Sequence, residues 1–116
     1  MNKFLCDYLL AALFTSYDDG GNNLDSHYSL RDFSPAAIGK ATEDCKKFEA
    51  DNVVDLTGHN PRNSPGHDFW LTRNGHGAGF WDGDWSEEIG ERLTESAHSF
   101  GESDCYVGDD DMLYLT

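Results

Sequence analysis

His67–Glu88 reads HDFWLTRNGHGAGFWDGDWSEE, and its conformation decides how the rest of the chain is assembled. Asn74-Gly75 is the pair preferred in a two-residue type I′ turn. Counting outward from that turn sets Arg73 opposite His76, Leu71 opposite Ala78, Phe69 opposite Phe80 and His67 opposite Asp82. These pairs share one face, and two of them are apolar matches of the kind that stabilise paired strands. On the other face Trp70 lies opposite Gly79 and Asp68 opposite Trp81; a ring laid across a cross-strand glycine covers exposed backbone. The spacing predicts a β-hairpin turning at Asn74-Gly75.

Helices are predicted on both sides of it. In residues 3–16, Leu5, Leu9, Ala12 and Leu13 fall near one face with Phe4, Tyr8 and Ala11 beside them, a wide apolar stripe. Asp7 interrupts that run and no small-x-small cleavage site follows, so the segment reads as the first helix of a cytoplasmic protein and not as an export signal. Gly20-Gly21-Asn22-Asn23 is a loop. Ser34 is a good N-cap with Pro35 at the first helical position, and Phe33 and Ile38 have the spacing of a hydrophobic staple. Ile38, Ala41, Cys45 and Phe48 then form one stripe, with Lys40, Glu43, Lys46, Lys47 and Glu49 as its solvated face. VVDL at 53–56 is expected as a short strand, followed by a loop. Asp84 and Glu87 have the spacing of a capping box for a further helix, whose stripe is Trp85, Ile89, Leu93, Ala97 and Phe100 and whose stop is Gly101. CYV and MLYL near the end are two short strands joined at Gly108–Asp111. The expected fold is a single compact α+β domain over residues 1–116, with about three helices packed on a small antiparallel β-sheet of three to four strands.

A chain of 116 residues, 38% hydrophobic and 13% aromatic, can bury one core and is too short for two. The formal net charge is −14, and it is unevenly spread. Residues 1–50 hold eight acids and five bases; residues 51–116 hold fourteen acids and three bases. From His76 onward there are eleven acids and one base, Arg92. Such a surface repels nucleic acid and anionic membranes and attracts a strongly basic partner. Adaptation to a salty cytoplasm would not leave the first half nearly balanced. Cys6, Cys45 and Cys105 are an odd count without a C-x-x-C pair, which argues against a disulfide framework. No run approaches the ~20 apolar residues of a membrane span.

Four kinds of chemistry compete for the acidic half. Gly75, Gly77 and Gly79 imitate a phosphate loop, but they run into Phe80-Trp81-Asp82 and not into a helix N-terminus. His59, His67, His76 and His98 lack the close spacing of a zinc site. Asp82, Asp84 and Ser86 begin like a calcium loop, which then fails at Glu87 and Leu93, where Gly and Glu are required. His67, Asp68, Asp82 and Arg73 could be drawn as an acid–base cluster, yet no nucleophile setting accompanies them. No metal, cofactor or catalytic residue is therefore assigned. The acids remain. Glu87, Glu91 and Glu95 repeat every ~6 Å along one helix face, with no Lys at i+4 to relieve them. Glu88 widens the row; Asp82, Asp84, Glu102, Asp104, Asp109, Asp110 and Asp111 extend it before and after. A rigid domain carrying carboxylates in rows can occupy a groove built for duplex phosphates.

HDFWLTRNGHGAGFWD, with YVGDDDMLY near the end, resembles a family of small acidic proteins encoded by bacteriophages and other mobile elements, over the second half of the chain. Proteins of this kind are similar to anti-CRISPR and anti-restriction inhibitors, several of which act as DNA mimics. The Asp109–Asp111 run is more acidic than the Gly-containing turn that the resemblance implies. The expected function is a non-enzymatic inhibitor, acting in the cytoplasm of a bacterial host. It would bind a basic DNA-recognition surface of a CRISPR surveillance complex and bind no nucleic acid or membrane itself. The alternative is an immunity protein or antitoxin for a basic nuclease; a third is a small His/Asp hydrolase or metal protein built around His67 and His76.

Overall fold

The computed structural model describes residues 1–57, 63–76, 78–81 and 85–116. Among the described residues, five α-helices, two single 3-10 turns (Leu24–Ser26 and Leu30–Asp32) and one two-stranded sheet make up the regular structure. The helices and strands are α1 (Lys3–Thr15), α2 (Pro35–Asp51), α3 (Val53–Leu56), α4 (Pro65–Arg73), α5 (Glu87–His98), β1 (Cys105–Val107) and β2 (Leu113–Leu115). The class is α+β, with more helix and less sheet than the three helices and three to four strands expected.

Helix α1 starts where the Asn2 side chain accepts from Leu5 N. Helix α2 starts at Ser34, whose side chain accepts from Ala37 N with Pro35 in the first turn, as its sequence dictates. Its buried residues Ala37, Ala41, Cys45 and Phe48 continue the predicted stripe. VVDL is not a strand. Thr57 N donates to Val53 O and Leu56 N to Asn52 O, which makes these residues a helical turn directly after α2. Val53 and Val54 stay exposed there, so β-branching alone did not recruit them to a sheet.

The predicted hairpin at 67–82 is also overturned. Residues 65–73 are helix α4, so Leu71 and Ala78 are not cross-strand partners, nor are Phe69 and Phe80, Trp70 and Gly79, or Asp68 and Trp81. The pairing of His67 with Asp82 involves a residue outside the described ones. Asn74-Gly75 ends the helix. Gly75 has φ +70, its N–H bonds to Thr72 O, and the next N–H, of His76, bonds to Leu71 O. These are the paired hydrogen bonds of a helix C-terminus closed by a left-handed glycine. The same dipeptide serves either structure, and burial settles which. Gly66, Asp68, Phe69, Trp70, Leu71, Thr72 and Arg73 are all buried, and a backbone enclosed on every side must satisfy its own hydrogen bonds, which a helix does.

Helix α4 is the centre of the core and packs most extensively on α1. Close approach is possible because Gly66 faces the carbonyl of Phe4, where a Cβ would collide. Aromatic rings fill the space between helices. Phe48 of α2 stacks on Phe69 of α4 with centroids 4.2 Å apart, and Phe80 covers the other side of Phe48 at 5.5 Å. Phe100 meets Phe69 edge-on at 5.0 Å, and Tyr8 meets Trp70 edge-on at 5.3 Å.

Helix α5 is capped by Ser86, whose side chain accepts from Ile89 N. The expected capping box of Asp84 with Glu87 is thereby displaced by two residues, and Asp84 itself lies outside the described residues. Gly90 lies against the Phe80 carbonyl, while Leu93 and Ala97 are buried. The C-terminal strands pair antiparallel with Cys105 opposite Leu115, Tyr106 opposite Tyr114 and Val107 opposite Leu113. Leu113 is fully buried and its carbonyl accepts from Ser34 N, which fastens the sheet to the start of α2.

Candidate functional site

The polar residues of the opening motif each hold a different part of the scaffold. Asp68 accepts from Trp85 Nε1 at 3.0 Å. Thr72 Oγ1 accepts from Phe80 N at 3.2 Å. Asn74 accepts from Ser103 N at 2.8 Å. Arg73, with its side chain 2% exposed, donates to Tyr8 Oη at 2.8 Å, Asp44 Oδ2 at 2.9 Å, Gly101 O at 2.9 Å and Phe100 O at 3.2 Å. Its guanidinium also lies over the rings of Phe69 and Phe100. Burial pushes the Tyr8 phenol far above its ordinary value, so it stays neutral beside the cation. These side chains are engaged with the scaffold, and of them Asn74 also lines a concavity, shared with His76 and Ser103. His67 sits half-buried on α4 and His76 half-buried just after it; His59 lies outside the described residues. Among the described residues no three His, Cys, Asp or Glu side chains stand together in a way that could hold a metal ion.

The acids divide into three places. On α5 the stripe of Ile89, Leu93 and Ala97 turns inward and leaves Glu87, Glu88, Glu91 and Glu95 exposed. Arg92 is committed to Glu88 and to α3. It grips Asp55 of α3 through two nitrogens at 2.7 and 2.9 Å and reaches Glu88 at 2.9 Å, and its hydrogen bonds hold the Asp55 carboxyl below the usual range. Among the described residues no cation is within ion-pair distance of Glu87, Glu91 or Glu95. These three carboxylates line one groove of about 390 Å³, floored by Phe80, Trp81 and Trp85. Phe80 is fully buried and Trp85 nearly so, while Trp81 is 57% exposed.

The second place is the tip of the sheet. Asp109 shares a concavity of about 560 Å³ with Asp18, Asp19, Tyr17, Tyr28 and Tyr106. Asp110 and Asp111 are committed to holding the turn. Asp110 accepts from Met112 N and from Tyr114 Oη; the tyrosine hydroxyl is the main reason its carboxyl is held below the usual range. Asp111 occupies the left-handed region at φ +63 and accepts from Tyr28 Oη at 2.7 Å. The Gly-containing turn implied by the resemblance is thus replaced by an aspartate anchored through its side chain. The third place holds Glu102 and Asp104, both exposed, beside a smaller concavity that His76 also lines. Asp82 and Asp84 lie outside the described residues.

The sequence therefore located the carboxylate row of α5 and missed the aromatic floor beneath it. The hairpin expected from the sequence sets Phe80 and Trp81 opposite Phe69 and Asp68, and the expected helix stripe sets Trp85 in a core. The available signal was the recurrence of aromatics at 80, 81 and 85 immediately before an acidic helix, which suits a groove wall as well as a core. Comparison of the chain with protein-family models, with curated proteins and with solved structures gives no match.

Proposed function

We propose that this chain is a non-enzymatic, phage-encoded inhibitor acting in the cytoplasm of a bacterial host. It occupies a basic, DNA-recognising surface of a CRISPR surveillance complex, with carboxylates where the complex expects phosphates. The observation that carries this proposal is the row of Glu87, Glu91 and Glu95, exposed on α5 and unpaired among the described residues. Like charges four apart on a helix repel by a few tenths of a kcal/mol per pair, and no cation among the described residues relieves that repulsion. A lysine- and arginine-lined channel relieves it on binding, and the same field accelerates encounter. The concentration of acid after residue 76 points the same way, and the choice of a CRISPR complex rests on the family resemblance.

The test is charge reversal at Glu87, Glu91 and Glu95, singly and together. Asp110 is unsuitable, because its carboxylate holds the sheet turn. Each position is exposed, so thermal melts should stay near wild type. The triple variant should lose at least about tenfold in competing with duplex DNA for the complex. An unchanged competition by a folded triple variant defeats the proposal.

A further inference from the structure

We infer that the groove beside α5 is a docking channel for an extended segment of the partner that carries arginine at alternate positions. The inference rests on the proposed inhibitor function and states what the partner must present. Trp81 is a large indole left 57% exposed, at the edge of a groove whose other aromatic residues are buried. Glu87, Glu91 and Glu95 line the same groove. Thr94 lines it too, and its hydroxyl oxygen is screened from solvent with no hydrogen-bond partner among the described residues.

Guanidinium satisfies this combination better than ammonium does. It is planar, stacks on an aromatic face and offers a two-pronged donor to a carboxylate, whereas lysine brings a compact, strongly hydrated charge. The spacing admits an extended backbone. Carboxylates four apart on α5 repeat every ~6 Å. In an extended chain, alternate residues project on one side every ~6.6–6.8 Å, so three arginines meet three glutamates with little mismatch. A helical segment repeats near ~6 Å as well, and a helix-spaced peptide is therefore the competing geometry.

The probe is a fluorescently labelled peptide in which three arginines alternate with serines, titrated against the full chain at low and moderate salt. Comparison peptides carry the arginines contiguously, spaced four apart in an alanine helix, or replaced by lysine. The alternating arginine peptide should bind several-fold tighter than each. Trp81→Ala, Trp81→Leu and Glu91→Gln should each weaken it about three- to tenfold. Glu43→Gln, which removes the same charge from an exposed position on α2, should change binding less than about twofold. Melts report folding, and Trp81→Leu keeps apolar bulk while removing the indole face. The inference fails if the alternating peptide does not bind or if its isomers bind equally. It also fails if Glu43→Gln costs as much as Glu91→Gln, or if folded Trp81→Ala binds like wild type. DNA is absent from this assay. A failure here beside a successful charge-reversal competition means that inhibition uses charge alone; peptide binding without competition retires the inhibitor proposal and keeps the groove.

Discussion

Arg73 is the side chain this core can least afford to lose. It brings a full charge inside and satisfies it with one carboxylate, one phenol and two backbone carbonyls, so three separate segments converge on one guanidinium. Removing one partner of a buried pair costs about 3–5 kcal/mol; Asp44 would keep only the more exposed Lys40, at 3.3 Å, and a domain this size has only about 5–15 kcal/mol in total. Arg73→Met should therefore lower the unfolding free energy by about 3–5 kcal/mol in urea titration. Arg73→Lys should rescue little, since an ammonium cannot span the carbonyls and Asp44 together. Arg73→Met combined with Asp44→Leu should recover part of the loss, a non-additivity that urea titration measures. The thiols add a pH dependence with a definite sign. Burial pushes Cys105 up to about 12 from the ordinary 9.0, and Cys45 and Tyr8 shift in the same direction for the same reason. The folded state holds these protons where the unfolded chain releases them. Their contribution is thus complete below about pH 9 and falls between pH 9 and 12. Urea midpoints should decline over that window, and Cys105→Ala should flatten the decline; a midpoint constant to pH 11 contradicts the burial of these groups.

Helix α4 shows where local pattern stops being informative. Capping chemistry marked the start of α2, and the amphipathic stripes of α1, α2 and α5 gave those helices, because each has one wet and one dry side; the short runs CYV and MLYL on either side of Gly108–Asp111 gave the two strands. Helix α4 has no exposed side. Seven of its nine residues are buried, so the helix carries no 3.6-residue period, and Phe69, Leu71 and Arg73 alternating with Asp68, Trp70 and Thr72 imitate a strand. The charges of α5 were legible for the converse reason, since exposed acids need no tertiary context. The groove floor was not, because it depends on where the 78–81 segment lies against α5. Gly75 offers a direct check. At φ +70 a side chain costs roughly 1–2 kcal/mol, and Asn should be the mildest replacement. Gly75→Val should lower stability by about that amount or more in urea titration. Gly66→Ala should cost more than a typical surface change, because its Cβ meets the Phe4 carbonyl and α1 must move. If Gly66→Ala is neutral, the α1–α4 contact is looser than described.

The net charge of −14 acts on folding and on binding with opposite signs, and salt separates the two. In the free protein, self-repulsion among carboxylates opposes compaction. Among the described residues the ion pairs that offset it are few and mostly exposed: Lys3 with Asp7 at 2.5 Å, Lys40 with Asp44 at 3.3 Å, Lys47 with Asp51 at 2.7 Å, and Arg92 with Asp55 and Glu88 at 2.7 and 2.9 Å. Exposed pairs contribute about 0–1 kcal/mol each, while the buried Arg73–Asp44 pair is screened little. Raising sodium chloride shortens the screening length from about 10 Å at 0.1 M to about 3 Å at 1 M, and this relieves many repulsive pairs at the loss of a few attractive ones. The melting temperature of the free protein should therefore rise with sodium chloride. Affinity for a basic partner should fall over the same range, because every attraction across that interface is screened. In Glu87→Gln/Glu91→Gln/Glu95→Gln both slopes should shrink together, since one set of carboxylates is the source of the repulsion and of the attraction. A melting temperature that falls with salt, or that rises as steeply in the triple variant as in wild type, would place the repulsion elsewhere on the surface and detach the α5 row from binding.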